Sequence, residues 1–284
     1  MSEPKKVRHV CGISGGKDSS AMAIYMRERV PEMEYFFCDT GAELPETYEY
    51  LDKLEVALGK PIARLNSTKG FDHWFDVYRG TLPSPQIRWC TKKMKIEPIE
   101  NWLGDDEAIS YVAIRSDESG RKGYVSTKPN IKAVFPFVED GIDHPGVLKI
   151  LETAGIGLPG YYEWRSRSGC YFCFYQRKSE WVGLAERHPD LFAKAVAIET
   201  KMRPQNETSG AADFSDFAME GRGYTWSGNE PLPVLLSRKE DIMARNAEAQ
   251  ERAKSRAANR PIWDVVSEAL DDEDDSLQCN VCAI

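Results

Sequence analysis

An α/β fold, a doubly wound and mostly parallel sheet with a helical C-terminal extension, is what this sequence predicts. Three observations predict it. Short apolar runs alternate with helix-periodic segments over the first 200 residues, the order that produces parallel βαβ units. A glycine turn, Ser14-Gly15-Gly16-Lys17-Asp18-Ser19, joins the first apolar run to the first helical segment. Beyond a stretch rich in Gly, Ser, Asn and Pro, a charged helix-prone segment begins near 238.

The elements follow in order. Residues 7–13 read as a strand broken only by Arg8 and His9, and 20–26 as helix. Residues 34–41 are a second buried strand running into a loop. Leu44, Tyr48, Leu51, Leu54 and Leu58 give 45–58 a helical period. A short third strand occupies 61–65. In 70–88, Phe71, Trp74, Phe75 and Tyr78 share a helix face until Gly80, Pro83 and Pro85 stop it. Residues 89–95 lead into a helix ending near Leu103-Gly104. Strands are expected at 111–114 and 133–136, with a charged loop at 115–121 between them. A short helix at 144–154 precedes loops at 158–162 and 169–173. Helices at 178–188 and 189–202 follow, with Pro189 opening the second. This gives three expected regions: 1–203 as the main domain, 204–267 as a helical and loop accessory segment, and 268–284 as an acidic, disordered tail.

Bulk composition narrows the class. The 284 residues are 42% hydrophobic and 29% charged, as in soluble proteins. No apolar run approaches the ~20 residues a membrane helix needs, and no apolar stretch behind the N-terminus suggests a secretion signal. The expectation is a cytoplasmic protein with no membrane partner. There, seven cysteines serve as metal ligands, reactive thiols or core rather than disulfides. A net charge of −8 and a pI near 5.3 argue against autonomous tight binding to bulk nucleic acid. They leave room for a local basic patch or a partner that brings the nucleic acid.

The turn at 14–19 carries the first chemistry. Strand, glycine turn and helix place backbone N–H groups and a helix N-terminus around one point, which suits a phosphate. Gly15 and Gly16 let backbone approach an anion, Lys17 adds a charge, and Ser14 and Ser19 add hydroxyls. It is not a Walker A loop: Cys11 holds the first glycine position and Asp18 stands where the magnesium-binding hydroxyl belongs. In a doubly wound sheet, ligands sit at the carboxyl ends of the strands. The turn and the loop at 38–41 share that end.

These six residues resemble, without a mismatch, the SGGKDS loop of the PP-loop ATP pyrophosphatase superfamily. Two further blocks widen the likeness. Asp39-Thr40-Gly41-Ala42-Glu43-Leu44-Pro45-Glu46-Thr47 resembles the DTG…PET segment of the phosphoadenosine phosphosulfate reductase family. Ile114-Arg115-Ser116-Asp117-Glu118-Ser119, with Arg121, is similar to that family's second signature. The resemblance implies the adenine nucleotide alpha hydrolase-like fold and cleavage of ATP between the α and β phosphates. It places Ser14, Gly15, Gly16, Lys17, Asp18 and Ser19 on the phosphates, and Asp39, Thr40 and Gly41 along the adenosine. Lys17, Asp18, Arg115 and Arg121 become the catalytic candidates. Asp18 is the carboxylate expected near Mg2+, whose preference is for hard oxygens. For Arg115 and Arg121, a surface ion pair with Asp117 or Glu118 stands as the alternative.

The cysteines form a separate pattern. Cys170-Tyr171-Phe172-Cys173 is C-x-x-C, and Cys90 lies 80 residues earlier. Thiolates so spaced bind zinc or an iron–sulfur cluster. Relatives that reduce adenosine phosphosulfate hold a 4Fe–4S cluster with a Cys-Cys pair and a C-x-x-C; here Trp89 replaces one member of the pair. Three thiolates imply an open iron able to carry sulfide. The combination is most similar to the iron–sulfur ATP pyrophosphatases of DNA phosphorothioation systems. That resemblance implies a cysteine desulfurase as sulfur donor, a DNA-handling partner protein and nucleic acid as substrate. A zinc staple completed by His73, His144 or His188 is one alternative, and buried unligated cysteines are another. Cys11 and Cys38, in apolar strands, read as core. Against a plain reductase, no closing Cys-Gly-His segment is present. The chain carries Cys279-Asn280-Val281-Cys282 instead, a relay pair, a source of a fourth ligand or an inert tail. An adenylyl-sulfate reductase, a tRNA-thiolating enzyme and a non-catalytic nucleotide-binding subunit remain as other readings.

Overall fold

Tyr35, Phe36 and Phe37 follow one another on the second strand, alternate between its faces, and are all at most 3% exposed. A strand buried on both faces belongs in the middle of a parallel sheet with helices on each side. The computed structural model has that architecture. It describes residues 7–118, 128–201, 225–228 and 230–258. Arg121, the expected boundary near 204, the acidic tail, Cys279 and Cys282 lie outside the described residues.

The strands are β1 (Arg8–Gly12), β2 (Glu34–Asp39), β3 (Ile62–Asn66), β4 (Ala108–Tyr111) and β5 (Ile131–Val134). Helices α1 (Lys17–Met26), α2 (Pro45–Leu58), α3 (Phe71–Val77) and α4 (Trp89–Thr91) come first. A π-helical turn, Lys92–Ile96, joins α4 to α5 (Glu97–Leu103). Then come α6 (Pro136–Glu139), α7 (His144–Thr153), α8 (Lys178–Arg187), α9 (Pro189–Thr200), α10 (Leu232–Ser237) and α11 (Lys239–Ala258).

All five strands are parallel, in the order β3-β2-β1-β4-β5. The chain builds outward from β1 through β2 to β3, then crosses to the other side of β1 for β4. The loops after β1 and β4 therefore flank the point where the winding reverses, the place where such sheets bind ligands.

The chain divides into two compact units. The first comprises 1–70, 90–170 and 266–284 and holds the whole sheet. One face of the sheet offers Cys11, Ile13, Tyr35 and Phe37 to Met22 of α1, Leu51 and Leu54 of α2 and Val147 and Leu151 of α7. The other face packs Val10, Phe36 and Leu65 on Ile99 and Leu103 of α5. Burying each large apolar side chain contributes about 1.5–3 kcal/mol. Local signals set the helix ends. Pro45 opens α2 where its missing N–H is not needed, and Gly59, at φ +63°, closes it. The Asp143 carboxylate caps α7 by accepting the Gly146 N–H at 2.9 Å.

The second unit comprises 71–89 and 171–265. Its centre is aromatic: Phe71 packs on Phe172 with centroids 4.3 Å apart, and Phe172 stacks on Trp226 at 5.3 Å. Trp226, 1% exposed, donates through Nε1 to the Ala195 carbonyl at 3.0 Å. The Glu199 carboxylate accepts the N–H groups of Trp226 and Leu232, at 3.1 and 2.9 Å.

Two strand positions differ from expectation: β5 runs Ile131–Val134 where 133–136 was expected, and β4 is shifted as well. β4 ends at Tyr111 instead of beginning there, because its register pairs Ala108–Tyr111 with Arg8–Cys11. Residues 112–114 continue as buried chain beyond the sheet edge and deliver Arg115 to the carboxyl end. Helix α10 was not foreseen; its Pro-rich start reads as a breaker, yet proline is tolerated in a first helical turn.

Candidate functional site

The glycine turn leaves β1 at the centre of the sheet and enters α1 at Lys17. Gly15 sits at φ +76°, a conformation costly for any residue with a Cβ. A Cβ there would meet the Thr47 methyl at 2.6 Å, and one on Gly16 would meet Ser168 Oγ at 2.9 Å. Gly15 is thus required by turn geometry and by close approach, and Gly16 by close approach alone. Ser14 and Ser19 close the turn on itself: their hydroxyl oxygens lie 3.0 Å apart, and the Ser14 N–H donates to Ser19 Oγ at 3.0 Å.

Three charges meet at its mouth. Lys17 Nζ donates to Asp18 Oδ2 at 2.9 Å, and Arg115 Nη1 donates to Asp18 Oδ1 at 3.1 Å. Burial alone would raise the Asp18 carboxyl, but the Lys17 and Arg115 charges outweigh it and hold it below the usual carboxylate range. Arg115 also pairs with Asp117 at 2.9 Å and Glu118 at 3.5 Å. Burial opposes its charge, yet Asp117, Asp18 and Glu118 push its basicity further up. Arg115 thus makes ion pairs with Asp117 and Glu118 and also reaches the Asp18 carboxylate of the turn. His144, at the first position of α7, feels the same charges: burial and then Lys17 and Arg115 lower its basicity.

A segment not foreseen as functional braces the turn. Tyr161 Oη donates to the Gly15 carbonyl at 2.7 Å, and Tyr162 Oη accepts the Lys17 N–H at 3.1 Å. Ser168 Oγ donates to Ser14 Oγ at 3.2 Å. No periodic pattern marks Tyr161 and Tyr162 in the sequence, so only the tertiary contact discloses them.

The loop after β2 lies at the same end of the sheet. Asp39 Oδ1 accepts the Gly41 N–H at 2.9 Å and the Tyr48 hydroxyl at 2.8 Å, so the carboxylate shapes this loop. Thr40 Oγ1 donates to Glu43 Oε1 at 3.0 Å and lies 3.2 Å from Cys170 Sγ. The Cys170 thiol is 3.6 Å from Glu43 Oε1. Glu43, 6% exposed, was legible only as part of the quoted DTG…PET block.

The cysteines fall differently from the phosphate residues. Cys90 and Cys170 belong to the first unit and Cys173 to the second. None of the five described cysteines forms a disulfide. Among the described residues, no group of three or more His, Cys, Asp or Glu side chains is gathered as metal ligands. The expected 4Fe–4S site at Cys90, Cys170 and Cys173, and the zinc alternative with it, find no ligand set there. Cys11 and Cys38 behave as core, their thiols pushed up to about 12 by burial. For Mg2+ the fit is better: Asp18 supplies the hard oxygen that ion prefers, beside the phosphate turn. Among the described residues no helix is long and apolar enough to cross a membrane.

Comparison with known proteins agrees with the turn. Residues 8–138 match the phosphoadenosine phosphosulfate reductase domain. An uncharacterised protein of Methanocaldococcus jannaschii is 26% identical over 196 residues, covering 65% of this chain and 46% of its own length. The tRNA-specific 2-thiouridylase MnmA of Pasteurella multocida is 28% identical over 127 residues, 40% of this chain and 33% of that enzyme. The chain thus spans under half of either relative. Among solved structures, phosphoadenylyl-sulfate reductase from Candida auris aligns over 60% of this chain and 82% of its own, with a TM-score of 0.44 and 14% identity.

Proposed function

We propose that this chain, whose residues 8–138 match the phosphoadenosine phosphosulfate reductase domain, is an adenylating ATP pyrophosphatase of the PP-loop type that readies an acceptor oxygen for replacement by sulfur. The observation that supports this most is the Lys17–Asp18–Arg115 charge group on a glycine turn at the winding reversal of the sheet. Backbone N–H groups of the turn and the α1 N-terminus donate to oxygens of the β and γ phosphates. Lys17 moves its ammonium from Asp18 to phosphate oxygens, and Arg115 stabilises charge on the transferring phosphorus. Asp18 would hold Mg2+, which would supply positive charge against the phosphates.

The acceptor oxygen attacks the α-phosphorus, the bond to the bridging oxygen breaks, and pyrophosphate leaves. A sulfur nucleophile then displaces AMP, which departs with the former acceptor oxygen. We assign that sulfur to a cysteine desulfurase, whose persulfide S–S bond is cleaved by a thiol reductant so that the sulfur arrives at the sulfide level. The acceptor we favour is a nucleic acid, first of all a DNA backbone phosphate presented by a DNA-handling partner. The acidic net charge of −8 supports delivery by such a partner. A tRNA base is the second reading, favoured by the likeness to a tRNA-specific 2-thiouridylase.

The test is pyrophosphate release from ATP, with and without DNA or tRNA. Lys17→Ala or Asp18→Ala should lower it about 100-fold while the fold persists. Sulfur-35 incorporation into one of the two nucleic acids identifies the acceptor. Sulfite release from an adenylyl-sulfate without ATP would overturn the proposal in favour of a reductase.

A further inference from the structure

We propose that Tyr162 is a positioning residue that competes with phosphate for the first amide of α1 and so couples occupancy of the phosphate turn to the state of Cys170. The inference rests on the reading of that turn as an ATP site. The first N–H groups of a helix have no partner inside it. One of them, on Lys17, donates to Tyr162 Oη at 3.1 Å, from a side chain 145 residues later. That N–H is the class of donor a phosphate oxygen takes, and a charged oxygen is a stronger acceptor than a neutral phenol. When phosphate arrives, it wins the amide and Tyr162 lets go.

Hydrogen bonds carry the consequence to Cys170 within the first unit. The Arg165 N–H donates to the Tyr161 carbonyl at 2.9 Å. The Arg165 guanidinium, 2% exposed, donates to the Gly169 and Cys170 carbonyls, both at 2.9 Å. Cys170 Sγ in turn lies against Thr40 and Glu43. The turn, the tyrosine pair, Arg165 and Cys170 are therefore one connected network.

This arrangement is not fully satisfied. Among the described residues, buried Arg165 Nε and Glu43 Oε2 have no hydrogen-bond partner. Such groups are expensive to leave unmatched. An alternative position of 160–170 that pairs them lies close in free energy, and loss of the Tyr162 bond biases the segment toward it. Cys170 then loosens from Thr40 and Glu43.

The experiment uses the full-length protein, with inorganic pyrophosphate and magnesium as the probe. Calorimetry gives pyrophosphate affinity, and peptide-resolved mass spectrometry gives the rate at which iodoacetamide alkylates Cys170. In the unaltered protein, saturating pyrophosphate should speed alkylation about three- to tenfold, the weight of one hydrogen bond. Tyr162→Phe should bind pyrophosphate more tightly by a similar factor, and its Cys170 should react without pyrophosphate as fast as in the saturated parent. A merely structural tyrosine would not raise the affinity. Tyr161→Phe, which cuts the other tether but frees no amide, should give no such gain. Weaker or unchanged binding in Tyr162→Phe overturns the coupling. So does a Cys170 rate in the parent that is indifferent to pyrophosphate or nil in both states. If the parent binds neither pyrophosphate nor ATP, the ATP-site reading falls as well.

Discussion

The two compact units treat buried carboxylates in opposite ways. In the first, Asp18 sits between Lys17 and Arg115, whose charges overcome burial and hold it below the ordinary range. In the second, Glu199 has two backbone donors and, among the described residues, no cation partner; burial prevails over the Leu232 and Trp226 N–H groups and raises it. The Asp18 group is a cluster of ion pairs at a loop mouth, with Arg115 shared among Asp18, Asp117 and Glu118. The Glu199 group is a staple, spending both oxygens on the backbone of 226–232. Charge at a site and polarity in a scaffold are thus distinguishable by their partners.

The largest effect should come from the scaffold. Trp226→Ala removes a ring packed on Phe172 and the Nε1–H donated to the Ala195 carbonyl, and should destabilise the protein by about 3–5 kcal/mol in denaturant titration. A loss below 1 kcal/mol would mean the aromatic centre is not what holds this unit.

Next is the turn itself. Gly15→Ala places a methyl in a left-handed conformation and against Thr47, so a loss of about 1–3 kcal/mol is expected. Pairing it with Thr47→Ser should recover part of the loss, because the Thr47 methyl is the atom met. No recovery would assign the whole loss to backbone strain.

The two carboxylates should also differ in sign. A lowered folded value makes the Asp18 contribution present above its unfolded 3.8 and lost as pH falls through the folded value. A raised one makes the Glu199 contribution full below its unfolded 4.5 and lost as pH climbs through the folded value. Melting curves across this range should show Asp18→Asn flattening the acid limb and Glu199→Gln flattening the opposite one. Two variants with the same pH profile would erase the contrast.

The smallest effect concerns His144. Its lowered basicity leaves it less protonated than an ordinary histidine at the same pH. A bound triphosphate adds negative charge beside it and favours the imidazolium, so ATP binding should take up a fraction of a proton and tighten as pH falls from 7 to 6. Calorimetry in two buffers of different ionisation enthalpy measures the uptake, and His144→Gln should lower it. Equal uptake in both proteins would place His144 outside the site.

Much of the first unit was legible in advance because its signals are local. Apolar runs and helical spacing give β1, α1, β2, α2 and β3 nearly as they stand, and Ser14 to Ser19 carry their purpose in consecutive residues. Arg115 was legible as a residue type but not as a partner of Asp18, 97 positions away. Glu43 looked like one letter of a motif, though its carboxylate faces a thiol from the far end of the unit. Tyr161, Tyr162 and Arg165 carried no signal, since an aromatic or basic residue in a loop has many ordinary uses.

By itself, then, the order of residues determined the class of fold, the glycine turn and the phosphate chemistry that turn favours, since all three depend on neighbours in sequence and on backbone geometry. Only tertiary structure decided which charges converge on Asp18, that a tyrosine pair grips the turn, and that Cys170 meets Thr40 and Glu43. Those contacts join segments up to 146 residues apart. Their energies depend on distance and burial, which parallel strand pairing sets and residue spacing does not encode.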